Sequence, residues 1–157
     1  SFWNLFTKPD KLSNRVQGTN GKRLNDYSWM DGVSGDGGVF LSIEDFLKWD
    51  KALKKNSLVP QSEFDKAMDP FISSVGDTTY YGFGWSLSKK GTSISHGGSW
   101  LGAVTYIYRK LDTDAMFVLL ESSTSKYSYA IRKEIQRVLN KTEPHMFSWD
   151  QIVVPNF

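Results

Sequence analysis

The run TSISHGGSWLGAVTYIYRKLDTDAMFVLLES, Thr92 to Ser122, decides the fold. TSISHG has the composition of a strand. AVTYIYRK alternates Val104, Tyr106 and Tyr108 with Ala103, Thr105 and Ile107, the period of a second strand. GSWLG between them reads as a loop. LDTD is a turn, and AMFVLLE is continuously apolar, which predicts a strand covered on both faces. Within this run lie His96, one of only two histidines, and the pair Gly97 and Gly98. Glycine weakens a strand ladder and packs nothing. Two of them here predict either a bulge or tight corner, or a ligand lying against the backbone beside the imidazole.

Upstream, YYGFGWSLS reads as a strand, and KKG as the turn that closes a hairpin with TSISHG. Before that, SIEDFLKWDKALKKN predicts a helix over 42–55. Ser42 is its N-cap, and Asp45 sits three residues on, as in a capping box. Ile43, Phe46, Leu47 and Leu53 recur at helical spacing, with Trp49 and Ala52 widening the apolar face. Lys54 and Lys55 suit the negative C-terminal end of the helix dipole, and Asn56 suits the stop. Residues 57–79 read as connecting structure, with QSEFDKAMD as a short helix.

Residues 1–41 are rich in turn formers (KPD, GTNG, SGDGG), and predict a loop-rich segment with one short strand around Asn14 to Gly18. After the last strand comes a helix over 126–139. Tyr127, Ile131, Ile135 and Val138 form its apolar stripe, with Arg132, Lys133 and Arg137 directed elsewhere. The tail EPHMFSWDQIVVPNF is apolar enough to dock on something. The order predicts a single α+β domain over 1–157, with three to four antiparallel strands across 80–121 flanked by helices.

Composition narrows function mainly by exclusion. The 157 residues carry 19 basic and 17 acidic side chains, scattered, so no basic stripe argues for nucleic acid. No apolar run approaches the roughly 20 residues of a membrane span. The absence of cysteine removes disulfides, thiolate metal sites and a Cys nucleophile. His96 and His145 are isolated, so a His-rich metal site is not expected, and the reading reached below implies neither a metal nor an organic cofactor. SFWNLFTKPDK lacks the charged start and apolar core of a signal peptide, and the chain lacks an initiator Met, as a processed or excised piece would. Aromatic residues reach 15%, which fits a core of large side chains or a surface on which sugars or rings stack.

With these elements in order, the sequence resembles the C-terminal portion of the serine β-lactamase and penicillin-binding-protein superfamily. The branch it is most similar to is the class C-like one, with its D-alanyl-D-alanine carboxypeptidases and esterases. GDGGVFLSIEDFLKWDKAL, YGFGWSL and HGGSWLGAVTYIYRKLDTDAMFVLLES carry the resemblance, in the family's order and spacing, over Gly35 to Ser122. In that family a Lys-Thr-Gly or His-x-Gly triplet lines the site beside the nucleophile. The resemblance therefore implies that His96 takes the cationic or hydrogen-bonding position. Gly97 and Gly98 would let substrate lie along the strand edge, and the backbone N–H of Ser99 would be one of two oxyanion-hole donors. Losing such a donor costs on the order of 3 kcal/mol. Histidine, unlike lysine, is largely uncharged near neutral pH, which leans toward ester or amide substrates rather than β-lactams. A simpler role for His96 is donation to a neighbouring carbonyl within a tight strand pair. The resemblance also implies an extracytoplasmic setting, periplasmic or secreted, which composition does not indicate.

The family's chemistry needs a Ser-x-x-Lys nucleophile and a Tyr-x-Asn, both well upstream of the matched segments. The chain has no Tyr-x-Asn. Ser86 to Lys89 falls on a predicted strand, where residues three apart face opposite sides. Ser123 to Lys126 falls at the start of the last helix, where that spacing brings side chains together. SSTSK is equally a Ser-rich N-cap region. Three readings follow, in this order: a part of a longer hydrolase whose N-terminal portion supplies Ser, Lys and Tyr; a non-catalytic module binding peptide or saccharide; and a self-sufficient hydrolase using Ser123 and Lys126. Under the first, a lone sheet exposes an edge and an apolar face. Its partner is then the rest of the same hydrolase or a second copy, with Met146 to Phe157 a candidate cover, and its substrate a small acyl compound. Asp31, Asp36, Glu44 and Asp45 form no persuasive glycosidase pair. GVSGDGG lacks the Lys of a phosphate loop.

Overall fold

The computed structural model describes residues 2–3, 14–28, 30, 33, 35, 37–72 and 78–140. Its elements are β1 (Phe2–Trp3), β2 (Thr19–Asn20), β3 (Arg23–Leu24), β4 (Val39–Phe40), α1 (Ile43–Lys54), α2 (Gln61–Ala67), β5 (Phe71–Ile72), β6 (Thr78–Thr79), β7 (Ser86–Leu87), β8 (Ser93–Trp100), β9 (Ala103–Lys110), β10 (Met116–Glu121) and α3 (Ser128–Leu139). The tail 146–157, His145, Asp31 and Asp36 lie outside the described residues.

The central element is a four-stranded antiparallel sheet in the order β10-β9-β8-β7, flanked by helices, and the fold is α+β as expected. β8 pairs with β9 along its whole length, from Ser93 opposite Lys110 to Trp100 opposite Ala103. β9 pairs with β10 from Arg109 opposite Met116 to Val104 opposite Glu121.

Alternation sorts these side chains onto two faces. Leu87, Ile94, His96, Trp100, Ile107, Arg109 and Val118 share one, and Ser95, Tyr106, Tyr108, Phe117 and Glu121 share the other. α1 meets the first face, where Arg109 Nε lies 3.0 Å from Asp50 Oδ1. Both side chains are buried, at 6% and 8% exposure. Lys54 closes the cluster, 2.8 Å from Asp50 and 2.9 Å from Asp114. α3 meets the second face through one i, i+4 column. Ser128 Oγ donates to Glu121 (2.6 Å), Arg132 stacks on Tyr106 (4.3 Å), and Gln136 donates to the Tyr106 hydroxyl (2.8 Å). At the column's foot the Tyr108 hydroxyl donates to Asn140 (3.0 Å).

α1 starts as predicted, with Ser42 accepting from the Asp45 N–H, and α2 occupies the short helix expected in QSEFDKAMD. Other expectations need correction. GSWLG is not a loop: β8 continues to Trp100, and only Leu101 and Gly102 turn. The turn is tight because the 18–25 segment crosses it backbone to backbone. The Gly102 N–H donates to Asn25 O (2.7 Å), and a Cβ on Gly102 would lie 2.0 Å from Thr19 N. The strand expected at 14–18 is not formed; the nearest is Thr19–Asn20, a strand because it pairs with Arg23–Leu24 across the turn at Gly21 and Lys22. YYGFGWSLS is strand only at Ser86–Leu87, since Gly84 adopts φ +80° and folds Gly82 to Trp85 into a loop.

The apolar stripe of α3 is only partly used: Ile131 is 45% exposed, while Arg132, expected to point away, faces the sheet. β10 is half-buried rather than covered on both faces. Among the described residues the buried apolar side chains are Ile94 and Tyr108, whereas Val16, Leu24, Tyr27, Phe83 and Trp100 stand exposed. No helix among the described residues is long and apolar enough to cross a membrane.

Candidate functional site

The two glycines that follow His96 are neither a bulge nor a corner. Gly97 pairs with Tyr106 and Gly98 with Thr105 in unbroken register, and neither has a positive φ. What they supply is room. A Cβ on Gly98 would lie 2.7 Å from the Thr105 hydroxyl, and one on Gly97 would lie 3.3 Å from the Tyr106 ring.

The other edge of the same strand is open among the described residues. β7 pairs with β8 only at Ser95 and Ile94, so among the described residues no strand continues on that edge from His96 to Trp100. Ser93 O accepts from Ser88 N toward β7, while Thr92 O accepts from Leu111 on the β9 side. Alternation from Ser93 therefore aims the backbone groups of Ser95 at β7, those of Gly97 and Ser99 at the edge beyond it, and those of His96 and Gly98 at β9. The N–H of Ser99, singled out above, belongs to the open set.

The His96 side chain is exposed on the α1 face of the sheet. Its Nδ1 is 2.6 Å from Gly84 O and 3.4 Å from the Tyr81 hydroxyl. The bond to a neighbouring carbonyl, raised as the simpler role, is thus formed, but to the 82–85 loop rather than across a tight strand pair. Tyr81 and Gly84 were not singled out from sequence. The signal available was the spacing of the glycines in YGFG, which fits a loop as well as a strand.

On the opposite face, beside Gly97, a cleft of about 320 Å³ is lined by Ser86, Ser95, Tyr106, Tyr129, Arg132 and Gln136, among others. Arg132 lies over two rings, Tyr106 at 4.3 Å and Tyr129 at 5.1 Å. Among the described residues no carboxylate pairs with it, so the cleft suits a ligand bearing negative charge.

Ser123 and Lys126 are not placed as the helical spacing predicts. α3 begins at Ser128, so neither lies on the helix. Ser123 is held in a bridge to Thr19, and the Lys126 ammonium lies 5.2 Å over the Tyr127 ring. Ser86 and Lys89 separate likewise, one on β7 and the other in the following turn. No group of three or more potential metal ligands occurs among the described residues.

No family model matches the chain, and no solved structure matches it. Among curated proteins, 139 residues align at 31% identity with Penicillin-binding protein 4* of Bacillus subtilis (strain 168), over 85% of this chain. Over that span the chain is similar to a penicillin-binding protein. The similarity supports a relationship with the penicillin-binding-protein and β-lactamase superfamily, and the chain spans 29% of the length of that relative.

Beside that similarity, two features stand out. Among the described residues, the strand bearing His96, Gly97 and Gly98 has no partner on its β7 edge beyond Ser95. The sequence also contains no Tyr-x-Asn, and its two Ser-x-x-Lys strings fall outside any helix.

Proposed function

We propose that this chain is the C-terminal part of a serine acyl hydrolase of the penicillin-binding-protein type. It contributes the His96-Gly97-Gly98 strand and the Ser99 N–H to an active site completed by a Ser-x-x-Lys and a Tyr-x-Asn from a longer protein. The reaction of the whole is acyl transfer to water through a serine ester. The nucleophilic serine attacks an ester, amide or β-lactam carbonyl, and the negative oxygen of the tetrahedral intermediate accepts from the Ser99 N–H. The substrate lies along β8 as an added strand would, with Gly97 and Gly98 keeping its path clear.

The observation that carries this reading is the open edge of β8, with the Ser99 N–H directed into it by alternation. A penicillin and a fluorophosphonate, each followed by intact mass, test it. The isolated chain should take no adduct, and the longer protein should take one, on a serine outside this segment. Ser99→Pro in the longer protein removes one edge N–H without touching the ladder to β9. It should slow acylation about 100-fold, the usual cost of one oxyanion donor. A stoichiometric adduct at Ser123 of the isolated chain would overturn the reading and make the chain an enzyme by itself.

A second reading rests on the cleft beside Gly97. A non-catalytic module would use its tyrosines, with Arg132, to hold an anionic peptide or saccharide. Retained binding by a longer protein that forms no acyl-enzyme would favour it.

A further inference from the structure

The loop Gly82–Trp85 is anchored at both ends and delivers one carbonyl to one imidazole. At its start, a Cβ on Gly82 would lie 1.8 Å from Ala67 O, so the backbone runs directly against the end of α2. The Phe83 N–H donates to the same carbonyl (3.2 Å), and the Gly82 N–H closes the loop onto Trp85 O (2.8 Å). At its end, Trp85 stacks on Trp49 of α1, with centroids 6.0 Å apart and planes at 28°. Gly84 between them has open space around its Cβ position, so glycine is required there by conformation, φ +80°, and not by room. That conformation accompanies the 2.6 Å contact of Gly84 O with His96 Nδ1.

A carbonyl oxygen only accepts hydrogen bonds, so a nitrogen 2.6 Å away carries its proton toward it. A neutral imidazole has one N–H, and with Nδ1 protonated its Nε2 holds the lone pair. The Tyr81 hydroxyl, 3.4 Å from the same nitrogen, is beyond the usual range for such a bond and at best shares that proton. Nε2 has no partner among the described residues.

We infer that the Gly82–Trp85 loop is a positioning device that holds His96 in the Nδ1–H tautomer, so that its neutral ring presents Nε2 as a hydrogen-bond acceptor. The group it engages in the completed site is then a proton donor, a hydroxyl or an amine, and not a carboxylate. This reverses the role that a lysine would play at that position, since an ammonium only donates. The tautomer rests on the geometry alone, and its part in catalysis rests on the function proposed above.

The test is a two-bond ¹H–¹⁵N correlation on the full chain labelled with ¹⁵N-histidine, at a pH where imidazole is neutral. His145→Gln assigns the two rings. The expected result is a pyrrole-type shift at His96 Nδ1 and a pyridine-type shift at Nε2. The opposite pattern, that of an imidazole free in water, overturns the inference. Gly84→Ala should move the ring toward that opposite pattern, and Tyr81→Phe should leave it unchanged. If Tyr81→Phe alone reverses the pattern, Tyr81 is the partner and the inference fails. Should Gly84→Ala not fold, the wild-type and Tyr81→Phe spectra decide the matter. The expected tautomer in a longer protein that never acylates leaves this inference standing and sinks the catalytic reading. An acylating protein with the opposite tautomer does the reverse.

Discussion

Single residues here are constrained by backbone crossings more than by a filled core. Gly102 and Gly82 each admit another backbone within a distance no Cβ tolerates, at 2.0 Å from Thr19 N and 1.8 Å from Ala67 O. Gly102→Ala or Gly82→Ala must therefore move a segment, and each should cost about 1–3 kcal/mol in urea unfolding, the range for overpacking. An unchanged midpoint for either would mean that the crossing yields freely. Asp26 is constrained by charge. Burial alone raises its pKa, but hydrogen bonds from Arg15 and the Gly18 N–H, together with the charge of Arg15, outweigh that and hold it below 3.8. The pair is bidentate, at 2.5 and 2.7 Å. A depressed carboxylate gives stability that is present above its unfolded value and lost as pH falls through the lower folded value. Thermal melts should thus lose stability below about pH 4 in the wild type. Asp26→Asn should lie roughly 3 kcal/mol lower near neutral pH, because Arg15 is left buried without its partner, and should show a flatter acid limb. Parallel acid limbs would remove Asp26 from the account.

At the scale of elements, α3 separates what pattern reveals from what contact decides. Its apolar stripe points to Ile131, yet the face docked on the sheet is the column Ser128, Arg132, Gln136 and Asn140, because the sheet offers tyrosine rings and hydroxyls there. In the isolated chain Ile131→Lys should change stability by no more than about 0.5 kcal/mol, as an exposed position does. Arg132→Ala should cost about 1 kcal/mol through its ring contacts. The reverse ranking in denaturant melts would restore the stripe. The same distinction explains which elements were legible. Ser42 and the helical spacing after it announce α1 locally, and the alternation of 103–110 announces β9, because both signals lie within a few residues. The end of β8 could not be read, since its turn is fixed by Thr19 and Asn25, some eighty residues away. His96 was legible as chemistry through its rarity and the glycines beside it. Gly84, its partner, looked like strand because nothing local reveals which way a carbonyl will turn.

At the scale of the whole molecule, the described residues bury too little apolar surface to account for so many large side chains. Ile94 and Tyr108 are buried, while Trp100 at 47%, Val39 at 51% and Phe83 at 76% face solvent. Burial of one such side chain is worth about 2 kcal/mol, so leaving many exposed forgoes much of the drive to fold. The edge of β8 left unpaired among the described residues compounds this, since unpaired strand groups template the addition of another strand. Both deficits would be met by one event, the docking of further chain on the His96 edge and on the exposed apolar side chains around it. In the longer protein the proposed function assigns that event to the same polypeptide. For the isolated chain the available partner is a second copy, and edge-to-edge pairing of β8 with β8 satisfies the Gly97 and Ser99 backbone groups in both. Sedimentation velocity should therefore show mass rising with concentration. Ser99→Pro, which removes an edge N–H while sparing the ladder to β9, should shift that association to higher concentration by about tenfold, as the loss of roughly 1.4 kcal/mol implies. A monomer throughout the accessible range would mean that the edge is closed within the chain itself. The Ser99 N–H would then be unavailable to any oxyanion, and the proposed function would fall with it.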